Sequence, residues 1–79
     1  MESNGINIVK LGMEVVYRGS FGSGAKANAK IEDIELCDNE HEKYGIPVEE
    51  VHFKDLRRCV VNLSDGHWAY GYQIDEVVG

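Results

Sequence analysis

The sequence predicts a small all-β domain of about five strands with a short helical turn near the C-terminus, and three observations carry that expectation. Residues 25–31 alternate apolar and polar: Ala25, Ala27, Ala29 and Ile31 against Lys26, Asn28 and Lys30. That is the period of a half-buried strand. Asp65-Gly66 separates two β-prone runs, Val60-Val61-Asn62-Leu63 and Trp68-Ala69-Tyr70, which is the strongest short hairpin signal a sequence offers. Nowhere does a heptad, an internal repeat or a long run of helical period appear.

Taken in order, residues 1–7 carry no pattern and read as a disordered tail, leaving residues 8–79 as the single domain. Residues 8–17 form the first strand, bent at Gly12, with Met13, Val15 and Tyr17 on one side. Arg18 to Gly24 contains three glycines and predicts a mobile loop. The second strand starts at Ala25 and runs through Ile34 and Leu36, with a bulge near Asp33 that changes its inward phase. An acidic connection follows from Cys37 to Gly45. Pro47 confines pairing there to an edge or a strand start. A short strand over residues 48–53 places Val51 and Phe53 on one face and leaves an edge on which a partner chain or a second copy can pair, and Lys54 to Arg57 makes a turn into the hairpin.

A two-residue turn at Asp65-Gly66 pairs Leu63 with Trp68, Val61 with Tyr70 and Cys59 with Tyr72. In that register Trp68 and Tyr70 belong to the core beside Leu63 and Val61, because directly opposed residues share a face. Residues 73–78 then supply a helical turn and a closing strand.

The residues Val15-Val16-Tyr17, Ala29-Lys30-Ile31-Glu32-Asp33-Ile34, Val61-Asn62-Leu63-Ser64-Asp65-Gly66 and the ending from Gln73 to Val78 together resemble the SH3-like small barrels, and among them the Tudor-type domains. The resemblance spans most of the chain from about residue 11. It implies a barrel that binds peptides, methylated side chains or nucleic acid without catalysis. The connection over residues 37–58 is longer than a minimal barrel of this type needs, and spacing alone shows no full aromatic cage.

A chain of 79 residues buries only about 60% of the surface that its unfolded form exposes. Its hydrophobic fraction of 43% and charged fraction of 28% are those of a globular domain. The net charge of −6 opposes long-range attraction to nucleic acid or to an anionic membrane. No targeting segment or spanning run is present, so a cytoplasmic location with reduced thiols at Cys37 and Cys59 is expected.

The partner expected is a protein or peptide, and the leading surface is Tyr17, Phe21, Tyr44, His67 and Tyr72. The alternative is a nucleic-acid patch made of Lys26, Lys30, Lys54, Arg57 and Arg58. Cys37, His41, Cys59 and His67 include the residue types of a zinc site, but they come from separated segments without a Cys-x-x-Cys knuckle. Asp38, Glu40, Glu42 and Glu49 fall at calcium-loop positions, with Lys43 where glycine is needed. Ser64, Asp65 and His67 crowd the residues of a hydrolytic triad into one turn, which rules against their working geometry. No cofactor, metal or enzymatic activity is therefore expected.

Overall fold

The longest element is β3 (Lys26–Leu36), and the rest of the main sheet is laid along it. In the computed structural model, which describes all 79 residues, the first half of β3 pairs antiparallel with β2 (Glu14–Arg18), from Glu14 opposite Lys30 to Arg18 opposite Lys26. Its second half pairs with β6 (Cys59–Leu63) on one edge and with β4 (Ile46–Val48) on the other. β6 continues to β7 (Trp68–Tyr70), and β2 continues to β8 (Ile74–Val77), giving the order β7-β6-β3-β2-β8. A separate ladder joins β1 (Ile8–Lys10) to β5 (Glu50–His52). Three 3₁₀ turns, Ser20–Gly22, Phe53–Arg58 and Gly71–Gln73, complete an all-β domain. No helix is long and apolar enough to cross a membrane.

Alternation decides what β3 buries. Ala29 and Ile31 point inward, and the register slips between Ile31 and Asp33 so that Ile34 takes the next inward place. One extra residue reverses the phase of a strand and sharpens its bend, which lets β3 serve two sets of neighbours. Eight strands are present rather than about five, because the first expected strand divides into β1 and β2, the stretch after the acidic connection gives β4 and β5, and the hairpin and the ending each add theirs. The expected edge at residues 48–53 is partly covered, since β5 pairs with β1.

The N-terminal residues are docked instead of forming a tail. The Glu2 amide donates to Asp75 O at 2.8 Å, the Val77 amide donates to Glu2 O at 2.9 Å, and Ile6 packs against the core. The Asn4 side chain donates to Val77 O and to Glu76, each at 2.8 Å. Backbone groups on the free edge of β8 need partners, and this segment supplies them. The Asn4-Gly5 pair that turns the chain, with φ of 53° and 82°, is the sequence signal for it.

The core holds Val9, Val15, Ile31, Ile34, Leu56, Val61, Leu63, Ile74 and Val77 with smaller residues between them, and Tyr17 is its one aromatic member. Gln73 is its buried polar group. Its Nε2 donates to Arg18 O at 2.9 Å and its Oε1 accepts from the Tyr70 amide at 2.8 Å, so the last 3₁₀ turn is clasped to β2. That turn lies hard against the Phe53–Arg58 turn: a Cβ on Gly71 would stand 1.7 Å from Leu56 O. Replacing Gly71 by Ala should therefore cost about 3 kcal/mol, the upper end of overpacking costs, and lower Tm by on the order of 15 °C. Gly19→Ala, which meets nothing within 4 Å at a φ of −69°, should leave Tm nearly unchanged in the same calorimetric comparison.

Candidate functional site

The site is built by a turn. The Gly66 amide donates to Leu63 O at 3.1 Å and the Leu63 amide donates to His67 O at 2.9 Å. Gly66 has φ +87°, whereas Asp65 is not in the left-handed region. This is a three-residue loop with a glycine bulge after a type I turn, where glycine favours the last position. The expected two-residue turn would need positive φ at both Asp65 and Gly66. The register therefore slips by one: Asn62 opposes Trp68, Val61 opposes Ala69 and Val60 opposes Tyr70.

A slip of one residue exchanges the faces of a strand. Ala69 is fully buried opposite Val61, and the expectation that Trp68 and Tyr70 enter the core is overturned. Trp68 is 39% exposed on the outer face. Its ring meets Tyr70 edge-on at 5.2 Å, Tyr70 stacks on Tyr72 at 5.5 Å with 12° between the rings, and Phe21 lies 6.3 Å from Tyr70. Such pairs contribute about 0.5–1.5 kcal/mol each beyond their buried area.

Two loops frame this cluster. The glycine-rich loop is not a loose connection: Gly22 and Gly24 amides both donate to Gly19 O at 3.0 Å, and Arg18 reaches Gly24 O at 3.2 Å. Ser20 and Phe21 hold φ of 50° and 55°, a strained region for such residues. The strain presents a ring that is 69% exposed. From the other side the acidic connection folds back over the sheet. His41 lies 4.9 Å from Tyr72, and the Lys43 Nζ sits 5.0 Å from the Trp68 ring and 5.7 Å from the Tyr44 ring.

An open cleft of about 440 Å³ runs between Phe21 and Trp68, with Tyr17 and Gln73 on its floor and His67 at its rim. Tyr17 is 3% exposed, so it supports the surface from below and does not present a ring, contrary to the sequence expectation. Its hydroxyl donates a short hydrogen bond to Asp65 and lies 3.2 Å from His67 Nδ1. Burial, then the Asp65 hydrogen bond and charge, push the Tyr17 phenol up to about 12. The same hydrogen bond holds the Asp65 carboxyl below its usual range, against the opposing effect of burial. Asp65 also accepts from the His67 amide at 3.0 Å, which fixes the turn from within.

Of the five residues expected to form the surface, Phe21 and His67 line the cleft, Tyr72 belongs to the aromatic cluster, Tyr44 is exposed with the Lys43 ammonium over its ring, and Tyr17 lies beneath. Trp68, Tyr70, His41 and Lys43 were missed. For the first two, Asp65-Gly66 fits a two-residue turn and a three-residue loop alike, so the sequence held no signal for the register that exposes them. For His41 and Lys43 no local pattern indicated that their loop folds back.

The basic residues do not form one patch. Lys26 and Lys30 sit near the start of β3, while Arg58 is bonded through its carbonyl to Cys37 beyond the end of that strand. Six residues of strand lie between Lys30 and Cys37, a span of roughly 20 Å. Arg57 pairs with Glu40 at 3.0 Å, Arg58 with Asp55 at 3.2 Å and Lys26 with Asp75 at 3.8 Å. Nor do the residues of the zinc, calcium or triad patterns converge. No three His, Cys, Asp or Glu side chains come together as ligands, and the Ser64 hydroxyl accepts from the Lys30 amide instead of facing His67.

Cys37 and Cys59 are both free and buried. Burial pushes the Cys37 thiol up and the Cys59 thiol up to about 12, which removes the thiolate that reactive cysteines need. Comparison with known proteins finds no matching family model, no matching curated protein and no matching solved structure.

Two outcomes follow from these groups. Tyr17→Phe should destabilise the chain by about 1–2 kcal/mol near neutral pH, since it leaves Asp65 without its hydroxyl donor. Because the folded Asp65 pKa is depressed and the Tyr17 pKa is raised, this difference should persist from about pH 5 to 9. It should shrink as acid protonates Asp65 and as alkali carries the pH above 10 toward the folded Tyr17 value; denaturant titrations across pH measure it. A thiol-reactive disulfide reagent should modify neither cysteine of the native chain at neutral pH and both after unfolding, which absorbance reads directly.

Proposed function

We propose that this chain is a small non-catalytic interaction module that docks a protein or peptide partner on its outer aromatic face. The supporting observation is the convergence of Phe21, Trp68, Tyr70 and Tyr72 outside a core that is already complete with aliphatic residues and Tyr17. Aromatic side chains offer large contact area with little rotamer freedom to lose, and they dominate binding hot spots. A cleft beside them, floored by a hydrogen-bonded tyrosine and glutamine, gives such a surface a place for an inserted side chain. The SH3-like, Tudor-type resemblance belongs to this proposal: a 3₁₀ turn before the last strand and a bent β3 shared between neighbours fit it. Residence in a reducing compartment such as the cytoplasm belongs to it as well, and two free thiols support it.

The nucleic-acid alternative has less support, because three of its five cations are already paired with carboxylates and the set is split between two ends of β3. Selection of a displayed random-peptide library on the full chain tests the main reading. Enriched peptides should bind in calorimetry, and Trp68→Ala and Phe21→Ala should each weaken them by about 10- to 30-fold. Equal binding by both variants would remove the aromatic face as the site. Affinity for mixed oligonucleotides that falls steeply with salt and is lost in Lys54→Ala or Arg57→Ala would transfer the role to nucleic acid.

A further inference from the structure

Lys43 is the one cation of the acidic connection, and its placement is unusual for its surroundings. Between residues 35 and 45 the chain carries four carboxylates, Glu35, Asp38, Glu40 and Glu42, against this single ammonium. None of the ion pairs in the structure includes Lys43. Glu40 is taken by Arg57 at 3.0 Å, Glu42 accepts from Asn39 at 2.9 Å, and Glu35 accepts from the Gly45 amide at 3.1 Å. The ammonium instead lies over the faces of Trp68 and Tyr44, at 5.0 and 5.7 Å, within the range of a cation–π contact.

From this arrangement we infer that Lys43 is the chain's own occupant of a subsite for a cationic side chain, and that the partner is a basic peptide whose Arg or Lys replaces it on Trp68. The inference rests on the aromatic face being the docking surface and adds the chemistry of what docks. Charge complementarity supports it: the domain carries −6 overall, and the connection that reaches the rings through His41 and Lys43 also bears Asp38, Glu40 and Glu42. A basic segment is drawn to such a face at long range. Arginine suits the subsite better than lysine, because its planar guanidinium stacks on an aromatic ring and is more weakly hydrated. Lys43 then acts as a competing internal ligand, and its occupancy reduces the apparent affinity for the peptide by the fraction of time that it covers Trp68.

Anisotropy of labelled hexapeptides alternating Gly with Arg, or Gly with Glu, titrated with the full chain at low ionic strength, tests this. The arginine peptide should bind and the glutamate peptide should not. Lys43→Ala should tighten the arginine peptide about two- to five-fold, the gain expected on removing an exposed cation–π competitor. Lys54→Ala, which makes the same change of net charge without removing an ammonium from over a ring, should tighten it by less. Trp68→Ala should weaken it at least about three-fold.

An unchanged or weaker affinity in Lys43→Ala, or one matched by Lys54→Ala, would overturn the inference. So would library-selected peptides that depend on Trp68 but lack Arg and Lys, a result that leaves the docking surface standing. Loss of all Trp68 dependence would remove both. A concentration-dependent dimer abolished by Lys43→Ala would also overturn it, assigning the face to a second copy of this chain.

Discussion

The register of one hairpin governs what this domain shows to solvent. Gly66 in the left-handed region closes a three-residue loop, and Asp65, held by the Tyr17 hydroxyl and the His67 amide, locks it. The alternative two-residue turn would send Trp68 and Tyr70 inward against Val61 and Leu63. In a chain with a Cα radius of gyration of 10.8 Å and only 18 buried residues, the interior is already filled, mostly by aliphatic side chains, and overpacking it costs free energy. Tight packing and turn geometry act together, placing alanine inside and the large rings outside.

The same bond joins fold to site. Tyr17 leaves β2 as a core residue, yet its hydroxyl reaches the hairpin tip and forms the floor of the cleft. Gln73 does likewise from the last 3₁₀ turn, binding β2 through Arg18 O while its flank lines that cleft. A rigid support of this kind limits the ordering cost of binding. The strained backbone at Ser20 and Phe21 is held by hydrogen bonds to Gly19 and carries an exposed ring, a combination that positions Phe21 opposite Trp68.

Four of the eight Lys and Arg side chains are neutralised locally. Arg18, Lys26, Arg57 and Arg58 each have a carboxylate partner within 4 Å and are at least partly exposed, where such pairs contribute little to stability. Their effect is to cancel local positive charge, so the acidic balance of the chain dominates its surface. Lys43 stands apart because its neighbour is a pair of rings, and that difference is what makes it informative about the partner.

Local chemistry was enough to determine the all-β class, the alternation of β3, the bulge beside Asp33, the hairpin at Asp65-Gly66 and the helical turn before the closing strand. Each depends on residues within a few positions of one another, where period and turn preference act directly. Asp-Gly, however, serves two turn types, and Leu63 to Trp68 contains no further residue that separates them. The choice of register, and with it the exposure of Trp68 and Tyr70, was decided by how much volume the core could accept and by a hydrogen bond from Tyr17, which is distant in sequence. Docking of Glu2 and Asn4 on β8 and the return of the acidic connection to the aromatic rings were likewise tertiary outcomes. Both satisfy groups that exist only once the sheet has formed: a free strand edge in one case and an apolar outer face in the other.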